Sequence, residues 1–241
     1  MTGLKISASG DSAIFCCVGE GVSLEVNRRV YALENQLLMM RIDGIIETVP
    51  SYNGLMVYYD PLVTDQDELQ RLIGSISGDN IINPATEDLR TIVIPVFYGK
   101  EYGPDLEIVA DINNLDTDEV VSIHSGTDYH IYMLGFTPGF PYLGGMDSRI
   151  ATPRKKEPRL KIAAGSVGIA GEQTGIYPIE SPGGWQIIGR TPVKLFNPGS
   201  GSPFLLEPGL SLRFIPVGFE EYVEISSIIE KNLYKPEYII G

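Results

Sequence analysis

Gly135-Phe-Thr-Pro-Gly-Phe-Pro-Tyr-Leu-Gly-Gly145 opens a stretch, running to about Gly209, in which glycine or proline arrives every few residues. So many backbone breakers exclude a regular helix. Their spacing fits many short strands joined by tight turns, as in a barrel or a sandwich. Ala164-Gly-Ser-Val-Gly-Ile-Ala-Gly171 is one such piece, a short buried strand between turns. Upstream, Ile92-Val-Ile-Pro-Val-Phe97 is a β-branched strand whose proline predicts a sheet edge or a bulge. Asp105–Asn113 and Thr117–His124 read as two short helices with acidic residues near their starts, and Tyr129–Leu134 as another strand. Val217–Lys231 reads as a closing helix, although its Val-Glu-Ile alternation also suits a strand.

The first 80 or so residues have a different rhythm. Leu4–Ala8 and Ala13–Val18 are short apolar runs separated by Ser-Gly-Asp-Ser, a turn signal. Val26, Val30, Leu33 and Leu37 recur at helical spacing and predict an amphipathic helix over Ser23–Met39. Ile45–Ser51 and Leu55–Tyr59 flank Asn53-Gly54, a strong hairpin signal. Thr64-Asp-Gln-Asp67 resembles a capping box, with a second helix behind it built on Leu69, Leu72, Ile73 and Ile76. The order β-β-α-β-β-α predicts a small α+β sandwich with both helices on one sheet face. Asn80–Asp88 is the expected linker, so the boundary falls between residues 84 and 85.

The 241 residues carry a net charge of −13, which argues against broad contact with nucleic acid or an anionic membrane surface. No apolar run approaches the ~20 residues that cross a bilayer, and the start lacks the features of a signal peptide. The neighbouring Cys16 and Cys17 point to opposite faces if they lie in a strand, and so do not pair. A reduced, cytoplasmic protein is the resulting expectation. Within this acidic chain, Arg149, Arg154, Lys155, Lys156, Arg159 and Lys161 are six of the 18 positive charges. Such a cluster is either a solvated loop or a local neutraliser of an anionic ligand.

There is no Walker A motif, no GxGxxG fingerprint and no G-x-S-x-G elbow. Two histidines and two adjacent cysteines are too few for a structural zinc site, and no residue is assigned as a metal ligand. The chemistry-bearing residues concentrate between His124 and Arg190. The Gly135–Gly145 segment, with Phe140 and Tyr142, is either a rigid packed loop or a pocket wall. Arg154 and Arg159 each follow a proline, which limits what they lose on binding a carboxylate or phosphate. Trp185, the only tryptophan, follows Pro-Gly-Gly and sits in the core or at a pocket edge. Gly189-Arg190-Thr-Pro places a further arginine. His124 either favours the dipole of the helix it ends or serves as a general acid or base; His130 reads as structural.

These words occur in one order and close succession: Gly135–Leu143, Thr152-Pro-Arg154, Pro158-Arg159, Ala164–Gly171, Gln173-Thr-Gly-Ile-Tyr177 and Ser181-Pro-Gly-Gly-Trp185. They resemble the allophanate hydrolase subunit 1 (KipI) family. Gly10-Asp-Ser-Ala-Ile14 and Tyr59-Asp-Pro61 match its amino-terminal domain, so the resemblance spans essentially the whole chain. It implies an α+β fold, with a ferredoxin-like sandwich over residues 1–84 followed by a cyclophilin-like β-barrel over 85–241. The barrel name describes shape and implies no prolyl isomerase activity. The resemblance further implies ATP-dependent 5-oxoprolinase activity, in which a lactam is opened to L-glutamate. ATP is the co-substrate, held by this chain or by a partner, and the chain works beside subunits A and C and is inactive alone. A lactam is poorly electrophilic, so phosphorylating its carbonyl oxygen is one use for ATP. That step needs cations around the phosphoryl group and the substrate carboxylate. Matching positions then give Arg154 and Arg159 this catalytic role, with His124 moving a proton. Phe140, Tyr142, Gln173, Tyr177, Trp185 and Arg190 would line the substrate site. The alternative is a KipI-like inhibitor that docks on a sensor histidine kinase and needs no chemical residues. Allophanate hydrolysis itself depends elsewhere on an amidase serine–lysine constellation not found in this sequence.

Overall fold

A computed structural model of the chain describes residues 4–76 and 90–240. The chain divides into two compact units, residues 1–87 and 88–241. The expected linker at Asn80–Asp88 lies outside the described residues.

The first unit contains β1 (Lys5–Ala8), β2 (Ala13–Cys17), α1 (Leu24–Met40), β3 (Ile45–Pro50), β4 (Gly54–Tyr59) and α2 (Gln66–Ser75). Its four strands form one antiparallel sheet in the order β1-β2-β4-β3. Alternation along the strands decides its faces. Ile14 and Cys16 lie opposite Val57 and Leu55, and all four join Val30, Leu33 and Leu37 of α1 and Leu69 and Ile73 of α2 in one buried cluster. Both helices therefore cover the same sheet face. Each fully buried aliphatic side chain contributes roughly 1.5–3 kcal/mol of transfer free energy. Cys17 faces away from Cys16, and both thiols are free.

One local expectation is met and one is corrected. The hairpin forms at Asn53-Gly54, but neither residue adopts a positive φ. Gly54 instead gives room to the Phe15 ring, whose edge a Cβ there would displace while meeting the Cys16 carbonyl oxygen at 3.0 Å. The cap of α2 is Asp65, not Thr64: its carboxylate accepts the N–H groups of Asp67 and Glu68. Thr64 is instead buried.

The second unit begins with β5 (Arg90–Tyr98), a 3-10 turn at Lys100–Tyr102, α3 (Leu106–Asn113) and α4 (Thr117–Ser125). Then come β6 (Asp128–Leu134), β7 (Pro141–Gly144), β8 (Arg159–Ile162), β9 (Ser166–Ala170) and β10 (Gln173–Ile176). Finally come β11 (Ser181–Gly183), β12 (Gln186–Arg190), β13 (Ser211–Pro216), α5 (Phe219–Glu230) and β14 (Glu237–Ile240). The main sheet runs β10-β9-β12-β5-β13-β6-β7, with β14 also on β5, while β8 and β11 form a separate ribbon. Strands β7 and β10, at the two ends of that order, lie against each other, so the sheet nearly closes into a barrel. Its core gathers Ile92, Ile94 and Val96 of β5 with Val167, Ile169, Ile176, Ile188, Leu212 and Phe214.

Pro95 lies inside this sheet rather than at its edge. Val96 accepts the N–H of Val217 on the β13 side, so the Pro95 nitrogen points the other way. There the register with β14 ends at Val93 and that with β12 begins at Phe97. The missing N–H falls in the gap between two partner strands. The Val-Glu-Ile segment is helical within α5, and the strand β14 follows it.

The correction at α2 is testable. Asp65→Ala should lower the stability of the amino-terminal unit by about 1 kcal/mol, read from its urea unfolding transition. An unmoved midpoint would return the cap to Thr64.

Candidate functional site

The barrel strand β10 has two faces, and they carry different chemistry. Thr174 and Ile176 point inward; Gln173 and Gly175 alternate to the other side. Gly175 lies directly opposite Gly168 of β9. A Cβ on Gly175 would meet Phe140 and the Trp185 indole at 3.2 Å, and one on Gly168 would meet Cβ of Trp185 at 3.3 Å. The two glycines thus leave a flat seat on which the tryptophan lies. Around it the rings meet edge-on, Phe140 to Trp185 at 5.7 Å, Tyr177 to Trp185 at 6.2 Å and Phe140 to Tyr142 at 5.5 Å. Such pairs add about 0.5–1.5 kcal/mol beyond their burial. Phe140 and Tyr177 are buried, whereas Trp185 stays partly exposed, packed on Ile162, Tyr177 and Ile187.

The loop leading to Phe140 is tight, with Gly135 N–H donating to the Phe140 carbonyl at 3.1 Å and Phe140 N–H to the Thr137 carbonyl at 3.0 Å. Phe136 meets the demands of this turn with a left-handed φ of 63°, and its ring is 71% exposed beside Phe140. Sequence does not single out this exposed, strained aromatic, because nothing in Phe-Thr-Pro announces a left-handed phenylalanine.

The basic loop approaches the same wall, pinned by Lys155 N–H to the Gly184 carbonyl at 2.7 Å and by Gln186 Nε2 to the Pro153 carbonyl at 2.9 Å. Its charges are unequal. Arg159 places both terminal nitrogens on Asp105 at 2.8 Å each, and Lys155 adds a bond of 3.0 Å. The Ile187 N–H donates to the same carboxylate at 2.7 Å. Asp105 stands at the N-cap position of α3 yet makes no capping bond, and its side chain is only 2% exposed. Burial alone pushes its carboxyl up; the bonds from Arg159, Ile187 and Lys155 outweigh this and hold it below the ordinary value. Sequence shows Asp105 only as an acidic helix start, since its partners lie about 50 to 80 residues away. Arg149 pairs with Asp147 and Lys161 with Glu180, both at the surface. Arg154 is exposed and has no ion pair among the described residues. Burial raises the pKa of the Tyr177 phenol, and the charges of Arg154 and Arg159 pull against it.

Two expected residues lie elsewhere. His124 is wholly buried on the inner side of β10, stacked on Phe214 at 4.5 Å. Its Nδ1 is 2.8 Å from the Tyr98 hydroxyl and its Nε2 is 2.8 Å from Thr174 Oγ1. Thr174 donates its own proton to the Gly168 carbonyl at 3.1 Å. The chain of donors therefore fixes the tautomer: Nε2–H donates to Thr174, and Nδ1 accepts from Tyr98. Neither nitrogen is left for a substrate. Arg190 belongs to another aromatic group, its guanidinium 5.3 Å from the Tyr102 ring and close enough to act on the Tyr222 phenol. The structure thus brings the rings of Phe140, Tyr142, Tyr177 and Trp185 together beside Arg159 and the loop that carries Arg154, puts Gln173 on the same face of β10, and gives His124 and Arg190 their partners elsewhere. Among the described residues, no cluster of His, Cys, Asp or Glu is placed to hold a metal ion, and no helix is long and apolar enough to cross a membrane.

Residues 4–206 match the family described as carboxyltransferase domain, subdomain C and D. The chain is 43% identical to the 5-oxoprolinase B subunit of Bacillus subtilis, covering 90% of this chain and 95% of that one. It is 41% identical to the 5-oxoprolinase B subunit of Escherichia coli O157:H7, covering 86% and 93%. The urea carboxylase of Kluyveromyces lactis superimposes with a TM-score of 0.79 at 21% identity, over 98% of this chain and 24% of that one, and so shares its fold.

Burial lowers the His124 pKa from 6.5 to about 3. The unfolded chain then takes up a proton that the folded chain refuses. Stability from the neutral ring is fully present above pH 6.5 and is lost as the pH falls towards 3. The slope is about 1.4 kcal/mol per pH unit. Between pH of about 7.5 and 5.5, the wild type should lose about 1.4 kcal/mol more than His124→Gln in chemical denaturation. Equal losses would show that the ring is not held neutral.

Proposed function

The chain belongs to the carboxyltransferase domain, subdomain C and D family, and we propose from this that it works as the B subunit of a 5-oxoprolinase. In that role it contributes to a hydrolase complex that opens 5-oxo-L-proline to L-glutamate. The observation that carries this reading is the identity of 38–43% to three proteins of that name, over most of both chains.

We propose further that ATP is hydrolysed in the reaction, that the complex includes subunits A and C, that it is cytoplasmic and that this chain is inactive alone. ATP supplies a phosphoryl group that makes the lactam carbonyl electrophilic. The residues of this chain suit the anionic end of that chemistry. Arg154 offers an unpaired guanidinium for the substrate carboxylate or the phosphoryl oxygens, and Lys156 is a second exposed cation on the same loop. Arg159 adds positive potential while remaining tied to Asp105. Trp185, Tyr142 and Gln173 are proposed to complete the substrate site, the first two as aromatic surface. His124 is assigned to the barrel core and not to proton transfer, because both ring nitrogens are engaged. Arg190 is assigned to the neighbouring aromatic group.

We read the domains as 1–84 and 85–241, with a cyclophilin-like barrel in the second. The first is read as a ferredoxin-like sandwich whose closing strand stands at the start of the chain. Counting β2-α1-β3-β4-α2 and then β1, the sheet order β1-β2-β4-β3 becomes that of the split βαβ arrangement.

The test is co-expression with the partner subunits and measurement of glutamate formed from 5-oxoproline and ATP. Turnover by the complex supports the reading. No turnover, with inhibition of a histidine kinase by the chain alone, would replace it with the inhibitor function. Within an active complex, Arg154→Ala should lower kcat/KM at least tenfold, about 1.4 kcal/mol of transition-state stabilisation. Unchanged kinetics would make Arg154 an ordinary solvated residue.

A further inference from the structure

An aspartate at a helix N-cap ordinarily turns its carboxylate onto the first N–H groups of that helix. Asp105 does not. Its oxygens accept both ends of the Arg159 fork, the Lys155 ammonium and the N–H of Ile187. Three separate stretches meet at this carboxylate: the start of α3, the basic loop, and β12 just after Trp185. We infer that Asp105 is a positioning residue for the proposed reaction. It fixes Arg159 against the backbone of Trp185, withdraws Lys155 from the ligand, and leaves Arg154 as the guanidinium that binds the anion. The inference rests on the 5-oxoprolinase reading of this site.

The geometry supports each part. One terminal nitrogen of Arg159 also lies 3.5 Å from the Trp185 carbonyl, so the fork is aligned with the segment that carries the indole. A guanidinium bound at both ends to a carboxylate has few donors left for a second anion. Asp105 is almost entirely removed from water and already has four donors, so a substrate carboxylate would have to displace a better-buried one. Arg154 meets no such competitor. The trio of Asp105, Lys155 and Arg159 carries one net positive charge by simple addition of −1, +1 and +1.

Trp185 is the only tryptophan, so its fluorescence reports this arrangement in the isolated full chain. Asp105→Asn keeps an acceptor for Ile187 N–H but cannot hold two cations. In the assembled complex it should lower kcat at least tenfold at saturating 5-oxoproline and ATP. In the isolated chain, Trp185 emission should move to longer wavelength and become more quenchable by acrylamide. Arg159→Lys keeps the charge and loses the fork; it should show the same fall in kcat even if Asp105→Asn does not fold. The double variant should be no worse than the weaker single one, because both changes break one unit. A merely structural role predicts something else: a lower Tm, with wild-type kcat, KM and Trp185 emission wherever the protein is folded. That result, or losses that simply add in the double variant, overturns the inference. If the wild-type complex does not turn over 5-oxoproline, the functional reading fails, and Trp185 emission in Asp105→Asn alone decides whether Asp105 positions the wall.

Discussion

A buried carboxylate is costly unless its charge is met, and the wall of the candidate site is held by one that is. Asp105 gives up a helix cap worth about 1 kcal/mol and takes on two cations and a backbone N–H. Removing one partner of a buried ion pair costs about 3–5 kcal/mol, so the cations win the competition for the carboxylate over the end of α3. The consequence is mechanical. A loop that carries two prolines and little regular structure is tied down by Asp105, by the Gly184 carbonyl and by Gln186 of β12, which bonds the Pro153 carbonyl. The loop is basic, exposed in part and nonetheless placed.

The same rule separates scaffold from surface across one strand. On the inner side of β10, Thr174 completes a chain from Tyr98 through His124 to the Gly168 carbonyl. Every polar atom of the imidazole is answered, which is the condition for burying it neutral. On the outer side, the absence of a side chain at Gly175 and Gly168 lets an indole approach the backbone. A histidine and a tryptophan on opposite sides of one strand thus have opposite fates, the first sealed in the barrel and the second half-open to solvent. Their separation follows from the period of two along a strand.

How much of this is legible in the sequence follows from the range of each interaction. The helices α1, α3 and α4 and strands β2, β4 and β6 are legible because their signals are local: apolar spacing, caps and turn residues. Gln173, Tyr177 and Trp185 are legible as a group because they sit in Gly-rich words close in sequence. What escapes depends on distant partners. Asp105 looks like an acidic helix start until Arg159 and Ile187 are brought to it, and Pro95 looks like an edge residue until two strands are found to share one side of β5. His124 misleads for the same reason. At the end of a helix in an otherwise acidic chain it resembles a titrating group, and only the fold reveals Tyr98 and Thr174 at its two nitrogens.

The basic run from Arg149 to Lys161 shows why a count of charges overstates what a ligand can use. Arg149 is held by Asp147, Lys161 by Glu180, and Lys155 and Arg159 by Asp105. Arg154 and Lys156 remain without ion pairs among the described residues. Two such cations on one loop, in a chain of net charge −13, make a poor surface for a polyanion, whose long-range repulsion by the rest of the molecule would exceed the local attraction. They suit a small anion that comes close enough to feel only its neighbours within about a Debye length. The pairing pattern, rather than the number of arginines, is therefore what turns a basic segment into a site for a small carboxylate or phosphoryl group.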